Sequence, residues 1–268
     1  MQRLLLSPRV ASVLAALALS LARIGSASAT TPSHTVYLNF SDGTEAIRLG
    51  ELDDATLDIS QLCDNSAFRW EGASDCPDRS SCRDGIVELV RQHWSDFDLQ
   101  IVVERPEGDY TMMVIGPASE GCQFGLLGLA PIDCGNASDR SVGFAFECGR
   151  SMVECAAIIS HELGHTFGLD HTSDEDDLMT TGPLGVSTPG FVDRDVPLVM
   201  PECHTTAQNS YRELQSTLGN RSASDPSADE GRPNERGCQL GPSTPGGGLW
   251  LALALLAGAR FRRRNARN

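Results

Sequence analysis

Residues 34–40 (HTVYLNF) alternate apolar and polar positions with the period of a β-strand. Further along, Ile86, Val87, Leu89, Val90 and Trp94 share one face at helical spacing, which predicts an amphipathic helix. Residues 99–103 and 110–115, rich in β-branched side chains, then read as strands, and 142–146 as another. The stretch 52–83 is rich in Cys and Asp, has no periodicity and reads as a loop pinned by disulfides. Trp94 and the Phe residues suit a core better than a binding surface. No internal repeat is visible.

The best-defined element lies at 151–167. Ser151 and Glu154 have the spacing of a capping box, in which the hydroxyl accepts a first-turn amide and the carboxylate reaches back to the cap. The apolar run 156–159 carries the helix on to Phe167, and Gly168 is the expected left-handed stop. On this helix stand His161, Glu162 and His165. Residues four apart share a helical face, so the two imidazoles can hold one Zn2+ with Glu162 beside its open position. A reversal at Gly168 lets His171 return to the same ion, and three neutral imidazoles leave a fourth position for water. The glycine and the third histidine are therefore parts of one device. Five specified residues over eleven positions make a far more selective signal than the bare His-Glu-x-x-His.

The run His161-Glu-Leu-Gly-His165-Thr-Phe-Gly168-Leu-Asp-His171, with Asp177-Leu178-Met179 eight residues later, resembles the metzincin zinc endopeptidases, whose motif precedes a methionine turn. The short interval before Met179 resembles the matrixin branch more than the adamalysin or astacin branches. By this resemblance the fold is mixed α/β (α+β): a twisted, mostly parallel sheet of about five strands with an active-site helix and a C-terminal helix. Residues 206–219 resemble that closing helix. The resemblance also implies that His161, His165 and His171 hold zinc, that Glu162 is the general base, and that Met179 floors the site without ligating. It further implies that the strand at 128–133 receives an extended peptide. No Pro-Arg-Cys-Gly latency motif precedes the domain, and no Tyr stands two residues beyond Met179, where a further ligand occurs in astacins and serralysins.

Charge and the two ends of the chain set the context. Three Arg precede residue 30 and five follow 259, so of 21 basic residues 13 stand among all 36 acids in 30–238, a net −23. So acidic a body offers nucleic acid no footprint. At the start, Arg3 and Arg9 precede an apolar run at 10–21 and the small residues Ala27-Ser28-Ala29, the layout of a signal peptide over 1–29. The alternative, a spanning helix, needs roughly 20 apolar residues. A folded domain at 30–219 precedes a Ser-, Asp-, Pro- and Gly-rich linker at 220–245. The tail at 246–268 is a short apolar segment halted by Arg260, Arg262, Arg263 and Arg264, with Cys238 upstream. It resembles the C-terminal sorting tails of exported myxobacterial proteins, and a simple tail anchor is the alternative.

Eight body cysteines in an exported chain predict four disulfides, of which Cys148 with Cys155 and Cys122 with Cys134 are the plausible sequence neighbours. Acidic residues at 174–177 and Asp133, Asn136 and Asp139 could hold structural Ca2+, which matrixins carry, or form solvated turns. The expected protein is thus a bacterial zinc endopeptidase, secreted or anchored at the outer membrane, acting on proteins or peptides. Membrane contact is expected only through the tail. The alternative is a catalytically silent metzincin-like domain that binds zinc or a partner at the cell surface.

Overall fold

The computed structural model describes residues 34–221, apart from 45, 65–68, 119–121, 123, 124 and 183–189. The expected leader, most of the expected linker, and the tail with Cys238 lie outside the described residues.

In chain order the elements are β1 (His34–Asn39), β2 (Arg48–Leu49), β3 (Ile59–Ser60), α1 (Arg79–His93), β4 (Leu99–Val102), β5 (Thr111–Ile115), β6 (Gly128–Leu129), β7 (Val142–Ala145), α2 (Met152–Thr166), β8 (Val196–Pro197), β9 (Ala207–Gln208) and α3 (Ser210–Leu218). Five strands form one sheet in the order β4-β1-β5-β7-β6. Its first four strands pair in parallel, while β6 runs antiparallel along β7, with Gly128 opposite Ala145 and Leu129 opposite Phe144. The expected mixed architecture and mostly parallel sheet are both present.

Both faces of this sheet are covered, which explains why β5 is buried at every residue. On one side Val36, Leu38, Met113, Ile115 and Ala145 meet Ile86, Val90, Ile158 and Ile159 of the two long helices. On the other, Tyr37, Met112, Val114 and Phe144 meet Ile47, Ala55 and Cys63 from the excursion between β1 and α1. The two-residue side-chain period of each strand separates these sets. Trp94 ends α1 fully buried, with edge-on contacts to Phe97, Phe167 and Phe191 at centroid distances of 5.8, 5.6 and 4.7 Å. Such pairs contribute about 0.5–1.5 kcal/mol each beyond area burial, and through Phe167 they fix the end of α2.

Two local expectations need correction. Residues 52–83 are not one loop: they contain a 3-10 turn at Ala55–Leu57, strand β3 and the start of α1. Two-residue strands are too short to carry a period, and α1 starts at a cap instead, where the Asp78 carboxylate accepts the Ser80 and Ser81 amides. The capping box on α2 is half made. Ser151 Oγ accepts the Glu154 amide at 3.1 Å, but the Glu154 carboxylate pairs with Arg150 at 3.3 Å, a nearby cation being the stronger partner.

Four disulfides form among the described residues: Cys63–Cys122, Cys76–Cys82, Cys134–Cys203 and Cys148–Cys155. Cys148–Cys155 was legible from proximity in sequence. Cys122–Cys134 does not form, because its members lie in different loops and each pairs with a residue about 60–70 positions away. Four disulfides indicate an extracellular protein. Among the described residues, no helix is long and apolar enough to cross a membrane.

Candidate metal centre

Helix α2 brings His161, Glu162 and His165 to the sheet edge at β6, and all three are buried. The chain reverses at Gly168, whose φ is +87°. A Cβ there would stand 2.9 Å from the Asp133 carbonyl oxygen and 3.3 Å from the Gly135 amide nitrogen. Both conformation and space therefore demand glycine. Beyond it the chain returns His171 to the helical pair. Ring centroids lie 4.8 Å apart for His161 and His165, 5.2 Å for His161 and His171, and 4.5 Å for His165 and His171.

Two main-chain carbonyls orient the helical imidazoles. His161 donates through Nδ1 to the Leu178 carbonyl at 2.6 Å, and His165 through Nδ1 to the Leu169 carbonyl at 2.7 Å. A carbonyl can only accept, so the proton sits on Nδ1 and Nε2 keeps its lone pair. His165 Nε2 lies 3.2 Å from His171 Nε2. One ligand nitrogen from each of the three residues lies within 4.8 Å of the others. Tetrahedral Zn–N bonds of about 2.0–2.1 Å separate ligand nitrogens by about 3.3 Å. The donor set and its convergence fit zinc. Among the described residues this is the one group of three or more His, Cys, Asp or Glu side chains so placed.

The environment keeps these donors neutral. Burial lowers His161 to about 4, opposed by the Leu178 carbonyl and reinforced by His171. Burial also holds His165 well below the usual imidazole range and lowers His171. At neutral pH all three are therefore competent ligands.

Met179 lies beneath the helix, fully buried. A Cβ on Gly164 would fall 2.5 Å from its sulfur, so this glycine lets the methionine turn dock against α2. The turn is tied to the third histidine by the Thr172 amide, which donates to the Met179 carbonyl at 2.8 Å.

Glu162 is enclosed by β6. A Cβ on Gly128 would come within 2.5 Å of both Cγ and Oε1 of this carboxylate. Burial pushes Glu162 up to about 8, and a dication held by the neighbouring imidazoles would draw it down again. Replacing Gly128 by Ala should displace the carboxylate without touching a histidine.

The structure gathers His161, Glu162, His165, Gly168, His171 and Met179 at one place. Three carboxylates of the acidic turns are engaged internally, while Asn136 Oδ1 is buried without a hydrogen-bond partner. Asp133 accepts the Ala137 and Ser138 amides, Asp174 pairs with Arg194, and Asp177 accepts from Ser210 and the Met179 amide. Sequence reasoning missed the carbonyls of Leu169 and Leu178, because every residue has a carbonyl and its direction is set by the turn.

Residues 74–172 match the reprolysin-like metallopeptidases of family M12B. The match runs from the segment before α1 through the third histidine, and it supports a zinc metallopeptidase of metzincin type. No curated protein matches the chain.

Proposed function

We propose that the protein is an exported zinc endopeptidase in which His161, His165 and His171 hold the metal and Glu162 is the general base. The observation that carries this is the convergence of three neutral imidazoles beside one enclosed carboxylate, with two of the imidazoles and the carboxylate on one helix and all four residues within the matched region. Bound Zn2+ would supply Lewis acidity toward a scissile carbonyl and lower the pKa of water at its open position. Glu162 would accept a proton from the attacking water and return it to the leaving amine.

Strand β6 supplies the rest of the reading. It is the last strand of the sheet order and passes directly over Glu162 through Gly128. An extended peptide adding to its outer edge would lie along the catalytic carboxylate, held by main-chain hydrogen bonds that accept many sequences. Met179 acts as floor, not ligand.

The interval from His171 to Met179 favours a matrixin-like branch, while the matched family is reprolysin-like. The reading needs only what these share. The chemistry calls on zinc alone, and structural Ca2+ at the 133–139 or 174–177 turns is a separate proposal on which it does not depend. Export rests on the leader-like 1–29 and on four disulfides, and retention at the outer membrane on the tail at 246–268.

The full mature chain, folded oxidatively, should cut an unfolded protein. A zinc chelator should abolish this and added zinc restore it. A folded protein that holds one zinc and cuts nothing across a broad peptide library would instead favour the silent binding domain.

A further inference from the structure

The third ligand, His171, stands outside the helix that fixes the other two, so something else must hold it. Its neighbour Asp170 is fully buried. The Asp170 carboxylate accepts the main-chain amides of three consecutive residues. Glu202 donates to Oδ1 at 2.7 Å, Cys203 to both oxygens at 3.1 Å, and His204 to Oδ2 at 2.8 Å. His204 Nδ1 adds a further contact to Oδ2 at 2.9 Å. The Asp170 main chain is clipped as well: Gln208 Oε1 accepts its amide at 2.9 Å and Gln208 Nε2 donates to its carbonyl at 2.8 Å.

The bonds continue toward the metal site. Gln208 Nε2 donates to Ser210 Oγ at 3.0 Å, Ser210 Oγ to Asp177 Oδ2 at 2.7 Å, and Asp177 Oδ1 accepts the Met179 amide at 3.1 Å. The His171 carbonyl accepts the Val199 amide at 2.8 Å. The loop carrying Glu202 to His204 is anchored by Cys134–Cys203 to the same 133–135 turn that packs on Gly168. A chain of polar contacts thus runs from the residue before the third ligand to the methionine turn beneath the first two.

We infer that Asp170 is a positioning residue for the metal: bound to the 202–204 amides and to Gln208, it presets His171 against the helical pair. This inference rests on the zinc reading above. The chemistry at Asp170 is selective. A carboxylate offers only acceptors, matching a ring of donors, whereas Asn in its place would turn an NH2 group against N–H groups and leave donors unpaired. An ordinary buried ion pair would stabilise the fold equally whether or not a metal is bound. A preset ligand instead changes how tightly the metal is held, because partners behind the ligands are worth about 10- to 100-fold in affinity.

The test compares the full mature wild type, Asp170→Asn and Gln208→Ala, each freed of metal and titrated with Zn2+ against a chromophoric chelator, then with Co2+ for the visible absorption of its ligand set. Wild type should bind one zinc. Asp170→Asn should bind 10- to 100-fold more weakly, with a Co2+ spectrum changed toward fewer nitrogen ligands. Gln208→Ala, which keeps the carboxylate and loses the main-chain clip together with the Ser210 contact, should weaken binding several-fold in the same direction. If Asp170→Asn does not fold, Gln208→Ala decides alone. Variants that melt earlier yet bind Zn2+ as wild type does, with an unchanged Co2+ spectrum, overturn the positioning role and leave the zinc reading intact. A folded wild type that takes up no zinc overturns the zinc reading, and the inference with it.

Discussion

Replacing Glu162 by Ala is expected to lower kcat by about 10²- to 10⁴-fold, the usual contribution of a general base, while the protein keeps its zinc. The side chain is not among the three converging imidazoles, so the metal loses no ligand. It is instead enclosed between α2 and the backbone of Gly128, where burial alone would hold it up to about 8. In the metal-free protein at neutral pH such a group is largely protonated and cannot serve as a base. A dication held by the three histidines would favour the carboxylate, so that on the proposed reading base and Lewis acid would become competent together. The distinguishing measurement is zinc content beside kcat and KM on an unfolded substrate. Loss of turnover with one zinc retained supports the assignment, and undiminished kcat in the alanine variant sinks it.

Replacing His165 by Ala should act through the metal. This imidazole is buried, its Nδ1 is fixed by the Leu169 carbonyl at 2.7 Å, and its Nε2 stands 3.2 Å from that of His171. Zinc held by a small protein site is worth about 10–16 kcal/mol. Shared over four ligands, that is about 2.5–4 kcal/mol each, or a factor of about 10²–10³ in affinity. The variant should lose activity at stoichiometric zinc and regain a fraction with excess zinc, whereas Glu162→Ala should not respond to the ion at all. Zinc affinity equal to wild type in His165→Ala would remove this histidine from the ligand set. The two variants thus separate holding the metal from using it.

Both expectations come from residues that announced themselves in the sequence. His161, Glu162 and His165 are related by helical spacing alone, and their helix begins at Ser151 and ends before Gly168, as its caps and stop indicated. The alternation in β1 and the apolar runs of β4, β5 and β7 were equally readable, since each strand is long enough to show its period. What spacing could not supply was the short structure. Strands β2, β3, β6, β8 and β9 are two residues each and exist only because neighbours pair with them.

The sequence by itself determined the chemistry available to this protein, because ligand type, helical register and a glycine reversal are local properties. Tertiary structure decided how that chemistry is held. Gly128 matters only because β6 crosses Glu162, and Gly164 only because Met179 docks beneath it. Leu178 and Asp170 matter through bonds that close over 17 and 32 to 34 residues of chain. Cys122 and Cys134, twelve residues apart, each pair with a distant partner, Cys63 and Cys203. Contacts of that range depend on how the sheet orders its strands and where the loops return, and no period along the chain encodes them.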